Sequence, residues 1–271
     1  MMPMCNLHTH TSRCDGANTA EEMVLAAIDA GCDVLGFSGH SPLDGEDWSM
    51  SEEGMAEYIS EIKELREKYR GRIEIYLGLE YDTFSKCDTE PFDYIIGSVH
   101  FVKKDGVMIP VDLNAEMLRR EIDRCYGGDF YGFACDYYES MCSLYEKTRC
   151  DIVGHFDLLT KFNAGGRFFD EASPIYRKYA TDALDALLEK DLIFEINTGA
   201  IGRGYRATPY PADFILRRIA DRGGRVMINS DSHAARTLFC HFAEAEEYAR
   251  ECGVSELVVL KNGKFTSVKI N

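Results

Sequence analysis

Tyr94-Ile95-Ile96-Gly97-Ser98-Val99-His100 is an apolar run that ends on a histidine, and the same pattern recurs on both sides of it. Upstream, Ile73-Glu74-Ile75-Tyr76-Leu77-Gly78-Leu79 ends at Glu80, Val34-Leu35-Gly36-Phe37-Ser38 delivers His40, and a first strand ends at Leu7-His8. Downstream, Asp151-Ile152-Val153-Gly154 ends at His155. Leu192-Ile193-Phe194-Glu195-Ile196 is a sixth strand, and Arg225-Val226-Met227-Ile228-Asn229 leads to Asp231 and His233. Short apolar runs that alternate with helical patterns favour a parallel sheet with crossover helices.

The helical patterns fall between the runs. One over 19–30 opens with Thr19, has Glu22 three residues on as a capping box, and stops at Gly31. Others are expected over 51–69, 173–189, 211–222 and 242–251. Residues 100–150 form an excursion, expected to be helical over 114–126 and 129–147. Its aromatic stripe, Phe130, Tyr131, Phe133, Tyr137 and Tyr138, is read as core packing. Two short strands within 256–271, joined at Asn262-Gly263, make a C-terminal hairpin. Seven parallel strands and a closing element point to an α/β barrel rather than an open sheet. No Pro/Gly/Ser-rich linker divides the 271 residues, so residues 1–271 are read as one domain.

Composition narrows the function. A net charge of −16 argues against a nucleic-acid polymer or an acidic membrane as partner, since a basic face supplies that affinity. The N-terminus lacks a secretory pattern, and no apolar run approaches a membrane span. The 10 cysteines are scattered with no CxxC pair, so a reduced, cytoplasmic protein is expected. The oligomeric state is left open.

Barrels build their chemistry on loops at the carboxyl ends of the strands, and six of the 7 histidines stand there. His241, on the last helix, is read as an ordinary surface residue. The others gather with acidic residues into one set: His8, His10, Asp15, His40, Glu80, His100, His155, Asp231 and His233. Imidazole and carboxylate suit zinc, iron and manganese, so the set predicts a multinuclear metal site and a hydrolase. His8-Thr9-His10 and Asp231-Ser232-His233 each space two donors on one face. Asp15 is read as a ligand in preference to a turn residue.

Leu7-His8-Thr9-His10, Gly39-His40-Ser41-Pro42, Gly78-Leu79-Glu80, Gly97-Ser98-Val99-His100, Gly154-His155-Phe156-Asp157 and Ser230-Asp231-Ser232-His233 together resemble the polymerase and histidinol phosphatase (PHP) superfamily. The histidinol-phosphate phosphatase branch is the nearest. The resemblance implies a distorted TIM-like (β/α)7 barrel with three divalent ions, zinc, iron or manganese. By position, His8, His10, Glu80 and Asp231 would hold one ion. Glu80, as a bridge, would hold a second with His100 and His155. Asp15, His40 and His233 would hold the third; many relatives have histidine where Asp15 stands.

Two further stretches resemble that branch: His155 to Phe162, leading to Arg167, and Phe194 to Gly199, leading to Arg203 and Arg206. Guanidinium matches phosphate oxygens in a bidentate way, so Arg167 and either Arg203 or Arg206 are candidate phosphate clamps. The implied reaction is hydrolysis of a small phosphate monoester, L-histidinol phosphate, by a metal-bridging hydroxide. Glu80 and Asp231 take catalytic roles through the metals, and His233 and Asp157 are candidate proton donors to the leaving alcohol, beside a metal-bound water. The rivals are a phosphoesterase of the same superfamily acting on nucleotide phosphates, a metal-dependent C–N hydrolase, and a non-catalytic metal module.

Overall fold

The structure, a computed structural model, describes residues 3–270. Seven strands form one parallel sheet: β1 (Cys5–Asn6), β2 (Val34–Phe37), β3 (Glu74–Asp82), β4 (Tyr94–Ser98), then β7 (Ile152–Val153), β8 (Ile193–Asn197) and β9 (Arg225–Asn229). They lie in chain order, so each crossover joins neighbours. The edges β1 and β9 meet again beyond the strands, where His10 N–H donates to Ser232 O (2.8 Å) and Ser232 N–H to His8 O (3.1 Å). This nearly closes the barrel. Helices α1 (Ala20–Asp29), α2 (Glu52–Lys68), α6 (Pro174–Leu188), α8 (Asp213–Asp221) and α9 (Phe242–Glu251) provide the crossovers and the flank after β9, and the short α7 (Gly199–Gly202) follows β8. The expected capping box forms: Thr19 Oγ1 accepts from Glu22 N–H (3.3 Å) and Glu22 Oε2 from Thr19 N–H (2.9 Å).

The excursion adds to the expected helices a pair of strands that the sequence reading left unassigned. It begins with a hairpin, β5 (Phe101–Lys104) and β6 (Val107–Pro110), before α3 (Ala115–Tyr126). The turn is Asp105-Gly106, with φ of +49° and +84°, the left-handed pair a two-residue hairpin needs. The long helix read over 129–147 is two, α4 (Phe130–Cys142) and α5 (Leu144–Thr148), broken at Ser143. The C-terminal hairpin, β10 (Glu256–Lys261) and β11 (Lys264–Lys269), turns at Asn262-Gly263 as expected.

Two apolar layers hold the fold. One lies between sheet and helices; the other is the barrel interior, where Cys5, Leu7, Val34, Tyr94, Ile96, Ile152, Ile193 and Met227 meet Val258 to Leu260 of β10. Tyr94 fills the interior and its hydroxyl donates to Leu7 O and Phe37 O. The ring fits because Gly36 and Gly78 lack side chains: a Cβ at Gly78 would lie 2.1 Å from the Tyr94 ring. The hairpin thus plugs the amino-terminal end, and only the carboxyl end is left for a site.

Candidate metal centre

Glu80 is the hub. It stands in β3 with 1% of its surface exposed, and its two oxygens face different partners. Oε1 accepts from Ser98 Oγ (2.7 Å) and lies 2.9 Å from His155 Nε2 and 3.3 Å from His100 Nε2. Oε2 lies 2.9 Å from His40 Nδ1, 3.2 Å from His8 Nε2 and 3.5 Å from His10 Nε2. Asp231 joins the second group, with Oδ1 3.3 Å from His10 Nε2 and 3.7 Å from His8 Nε2. Its backbone sits at φ +48°, a left-handed conformation that aspartate tolerates better than most side chains. Asp15 lies 3.1 Å from His233 and 3.7 Å from both His10 and His40. All nine residues predicted as ligands therefore converge. Asp15, His10, His40 and His233 form one group with donor atoms within 4.8 Å of one another; His8, His10 and Glu80, then His40, Glu80 and His100, then His8, His155 and Asp231 form others.

The donor set fits cations by its own chemistry. His8 Nε2, His10 Nε2 and Glu80 Oε2 are buried without a hydrogen-bond partner, and all three point at one spot. Buried polar atoms left unpaired are rare because they cost free energy, and a cation shared between them removes that penalty. Burial, then His233 and His40, push the His10 imidazole down to about 3, which keeps it a neutral donor. Burial would raise the carboxyls of Glu80 and Asp231, but the surrounding cationic side chains hold both well below the usual range. They are ionised and ready to ligate.

Residues that the sequence reading did not single out support this cage from behind. Glu195, in β8, accepts from His8 Nδ1 (2.6 Å), His155 N–H (2.8 Å), Asn197 Nδ2 (2.8 Å) and Asn229 Nδ2 (3.0 Å). With Nδ1–H donating there, His8 presents Nε2 to the cluster, the carboxylate–histidine arrangement that orients metal ligands. Asp82 does the same for His100, accepting from its N–H (3.0 Å) and Nδ1 (3.2 Å). The available signals were a charge inside an apolar strand for Glu195, and the two-residue spacing from Glu80 for Asp82.

The cluster forms the floor of a cleft of about 570 Å³. Trp48 stands against His40 (ring centroids 4.6 Å) and stacks with Phe101, the first residue of the unexpected hairpin. Glu46 accepts from Trp48 Nε1 (2.7 Å), and Asp112 accepts from Lys161 Nζ (3.0 Å); both carboxylates line the cleft.

The three arginines part company. Arg203 lines the cleft, donating Nη2 to Asp231 Oδ2 (2.9 Å) and Nη1 to Asp231 O (3.0 Å). Arg167 is on the exposed loop beyond Asn163, lying over the Phe168 ring, and lines no part of the cleft. Asn163 ties the backbone of Phe168 and Phe169 inward, so the glycine turn before Arg167 swings outward. Arg206 points away from the cluster, to Thr160 and the face of Tyr210. Asp157 is fully buried off the cleft, accepting from Ala212 N–H (3.0 Å), and burial raises its carboxyl to about 6. The structure thus places Arg203 at the cluster and Arg167, Arg206 and Asp157 outside the lining of the cleft. Lys161, which went unassigned, is the cleft's second cation.

Comparisons agree with this architecture. The chain is 32% identical over 270 residues to the "Probable histidinol-phosphatase" of Deinococcus radiodurans, covering 93% of this chain and 95% of that protein. Its fold is similar to the HisK protein of Listeria monocytogenes, with TM-score 0.78 at 23% identity, covering 89% and 99% of the two chains. It is also similar to the histidinol phosphate phosphatase of Lactococcus lactis, solved with zinc, L-histidinol and phosphate: TM-score 0.70, 22% identity, 97% and 98% covered. The PHP domain family model matches residues 6–199, and the chain belongs to that family.

Proposed function

We propose that this chain is a metal-dependent phosphomonoesterase that hydrolyses L-histidinol phosphate to L-histidinol and phosphate. The observation that carries the reading is Glu80, whose two oxygens face two different sets of imidazoles, as a carboxylate bridging adjacent ions requires. His8, His10, Glu80 and Asp231 would hold one ion, Glu80, His100 and His155 a second, and Asp15, His40 and His233 a third. Bound there, divalent ions supply an acidified water as nucleophile and neutralise charge on the phosphoryl oxygens.

The protein's own side chains do the rest. Arg203 is placed to add charge-assisted hydrogen bonds to a phosphoryl group at the cluster. His233 borders the cleft, but as a ligand of the third ion, with Nδ1 turned to Asp231 O, it would have no free ring proton for a leaving alcohol; Asp157 does not line the cleft. Glu195 and Asp82 fix the ring orientations of His8 and His100.

The opposite wall favours histidinol over a nucleoside as the alcohol. Glu46 and Asp112 are carboxylates where the organic part of the substrate must sit, and Trp48 with Phe101 offers aromatic surface. An amino alcohol bearing an imidazole matches both features, and a neutral nucleobase matches only the second. A carboxylated-lysine C–N hydrolase finds no support, since Glu80 occupies the bridge. The chain's acidity speaks against a nucleic-acid polymer, and 10 unpaired cysteines are consistent with a cytoplasmic protein. No helix of the described residues is long and apolar enough to cross a membrane.

The test is Glu80→Gln beside the metal-loaded wild type. Phosphate release from L-histidinol phosphate should fall at least a thousandfold with the circular-dichroism spectrum unchanged, and chelation of the wild type should reproduce the loss. Faster turnover of nucleoside 3′,5′-bisphosphates than of L-histidinol phosphate by the wild type would reject the substrate.

A further inference from the structure

A second cleft, of about 540 Å³, shares Asp15, Arg203, Asp231 and His233 with the first, so those four side chains form the wall between them. Its remaining sides come from the segments that follow β8 and β9, with Ala17 from the segment after β1. Arg203 is pinned in that wall by Asp231, through its carboxylate and its backbone carbonyl, which leaves its other N–H groups free to address an anion. Gly199 lies against the guanidinium: a Cβ there would come 2.8 Å from Arg203 Nη2.

Arg236 borders only the second cleft. It is exposed and has no ion pair, hydrogen bond or ring contact among the described residues. In a chain of net charge −16 most arginines find carboxylates, and this one faces a concave surface instead. Asp15 and Asp231, the acidic residues of the shared wall, are among the proposed metal ligands, so bound cations neutralise them and leave the second cleft basic.

Hydrolysis at the cluster leaves phosphate on the floor and the alcohol above it, between the phosphate and the mouth of the first cleft. Because Arg203 lines both clefts, a phosphate held by it has a route outward that does not wait for the alcohol to leave. Resting on the phosphatase reading, we propose that the second cleft is a binding site for inorganic phosphate and its exit, with the anion passing from Arg203 to Arg236.

Titrating inorganic phosphate into the metal-loaded protein by calorimetry should give two phosphates per chain. Arg236→Ala should leave one, Arg236→Lys should keep two, and Arg236→Glu should abolish the second. After a single turnover, phosphate release followed with a fluorescent phosphate-binding protein should slow at least fivefold in Arg236→Ala, with kcat/KM within twofold of wild type. A single phosphate site in the wild type, a second site indifferent to Arg236, or an unchanged release rate would each overturn the proposal. A wild type that produces no phosphate from any monoester would instead remove the phosphatase reading, and the calorimetric stoichiometry would still decide the second site.

Discussion

The barrel interior holds two chemically opposite layers on the same strands. Near the amino-terminal ends, Val34, Tyr94, Ile96, Ile152, Ile193 and Met227 form an apolar floor sealed by the C-terminal hairpin. Two residues further along three of these strands the interior turns polar: Ile96 gives way to Ser98 and His100, Ile193 to Glu195 and Asn197, Met227 to Asn229 and Asp231. A two-residue period keeps these positions on one face, so a single step exchanges oil for charge. The lower layer needs only shape and volume. The upper layer is buried just as deeply, and every donor and acceptor in it must find a partner or a cation. One layer supplies stability and the other spends some of it on an arrangement of electron pairs.

Removing the floor is the strongest test of that division. Tyr94→Ala deletes a ring with 1% exposure and strands two carbonyls that its hydroxyl satisfies. Large-to-small changes of buried aromatics cost about 3–5 kcal/mol, and the Tyr94 site, walled by backbone at Gly36 and Gly78, has little freedom to collapse. Urea unfolding should show a loss near the middle of that range. Activity per folded molecule, measured cold with metals present, should stay within threefold of wild type. A hundredfold drop in that activity would show that the floor also positions the cage.

Glu195→Gln probes the upper layer at a residue that ligates nothing. Loss of an outer partner to a ligating histidine typically lowers metal affinity or activity 10- to 100-fold, and that range is expected here. The pH response separates electrostatics from shape. Burial raises the Glu195 carboxyl, but His8 outweighs it and the folded value is lowered. Its ionised form therefore contributes stability above the unfolded value of about 4.3, and the contribution disappears as pH falls through the lower folded value. The metal-free wild type should accordingly be more stable than Glu195→Gln at pH 6, with the gap closing below about pH 4. A gap that stayed constant down to pH 3 would mean that His8 is held by shape alone.

The strand ends were legible because each apolar run stops at a residue that has no business in a core unless something binds it. His8, His40, Glu80, His100, His155 and Asp231 announce themselves in that way, and the structure brings all of them together. Glu195 was hidden by the opposite circumstance: it lies within a run, and one charge among Ile193, Phe194 and Ile196 reads as an exception. The β5–β6 hairpin carried a readable signal in Asp105-Gly106, masked by the helical patterns after it. The arginines could not be sorted from sequence at all. Arg167, Arg203 and Arg206 all follow matched motifs, and their directions depend on how three loops fold over one another. Only side-chain placement separates the one at the cluster from the one on the surface and the one turned inward.

That inward arginine gives the finest test of where the two layers end. Arg206 bonds Thr160 on the loop after β7 while standing on the loop after β8, and its guanidinium lies 5.0 Å over Tyr210, whose backbone pairs with Asn197. It thereby ties the loop bearing Lys161 to the loop bearing Arg203 without touching the cleft. If its role is to hold those two cations in register, Arg206→Ala should raise KM about three- to tenfold and leave kcat nearly unchanged, because the metal cage is intact. Arg206→Lys should recover part of the loss, as the amine can still reach Thr160 but cannot lie flat on Tyr210. Metal content, measured by elemental analysis, should match the wild type in both variants. A fall in kcat together with a loss of metal would place Arg206 among the supports of the cage instead, and would move the boundary of the polar layer one loop outward.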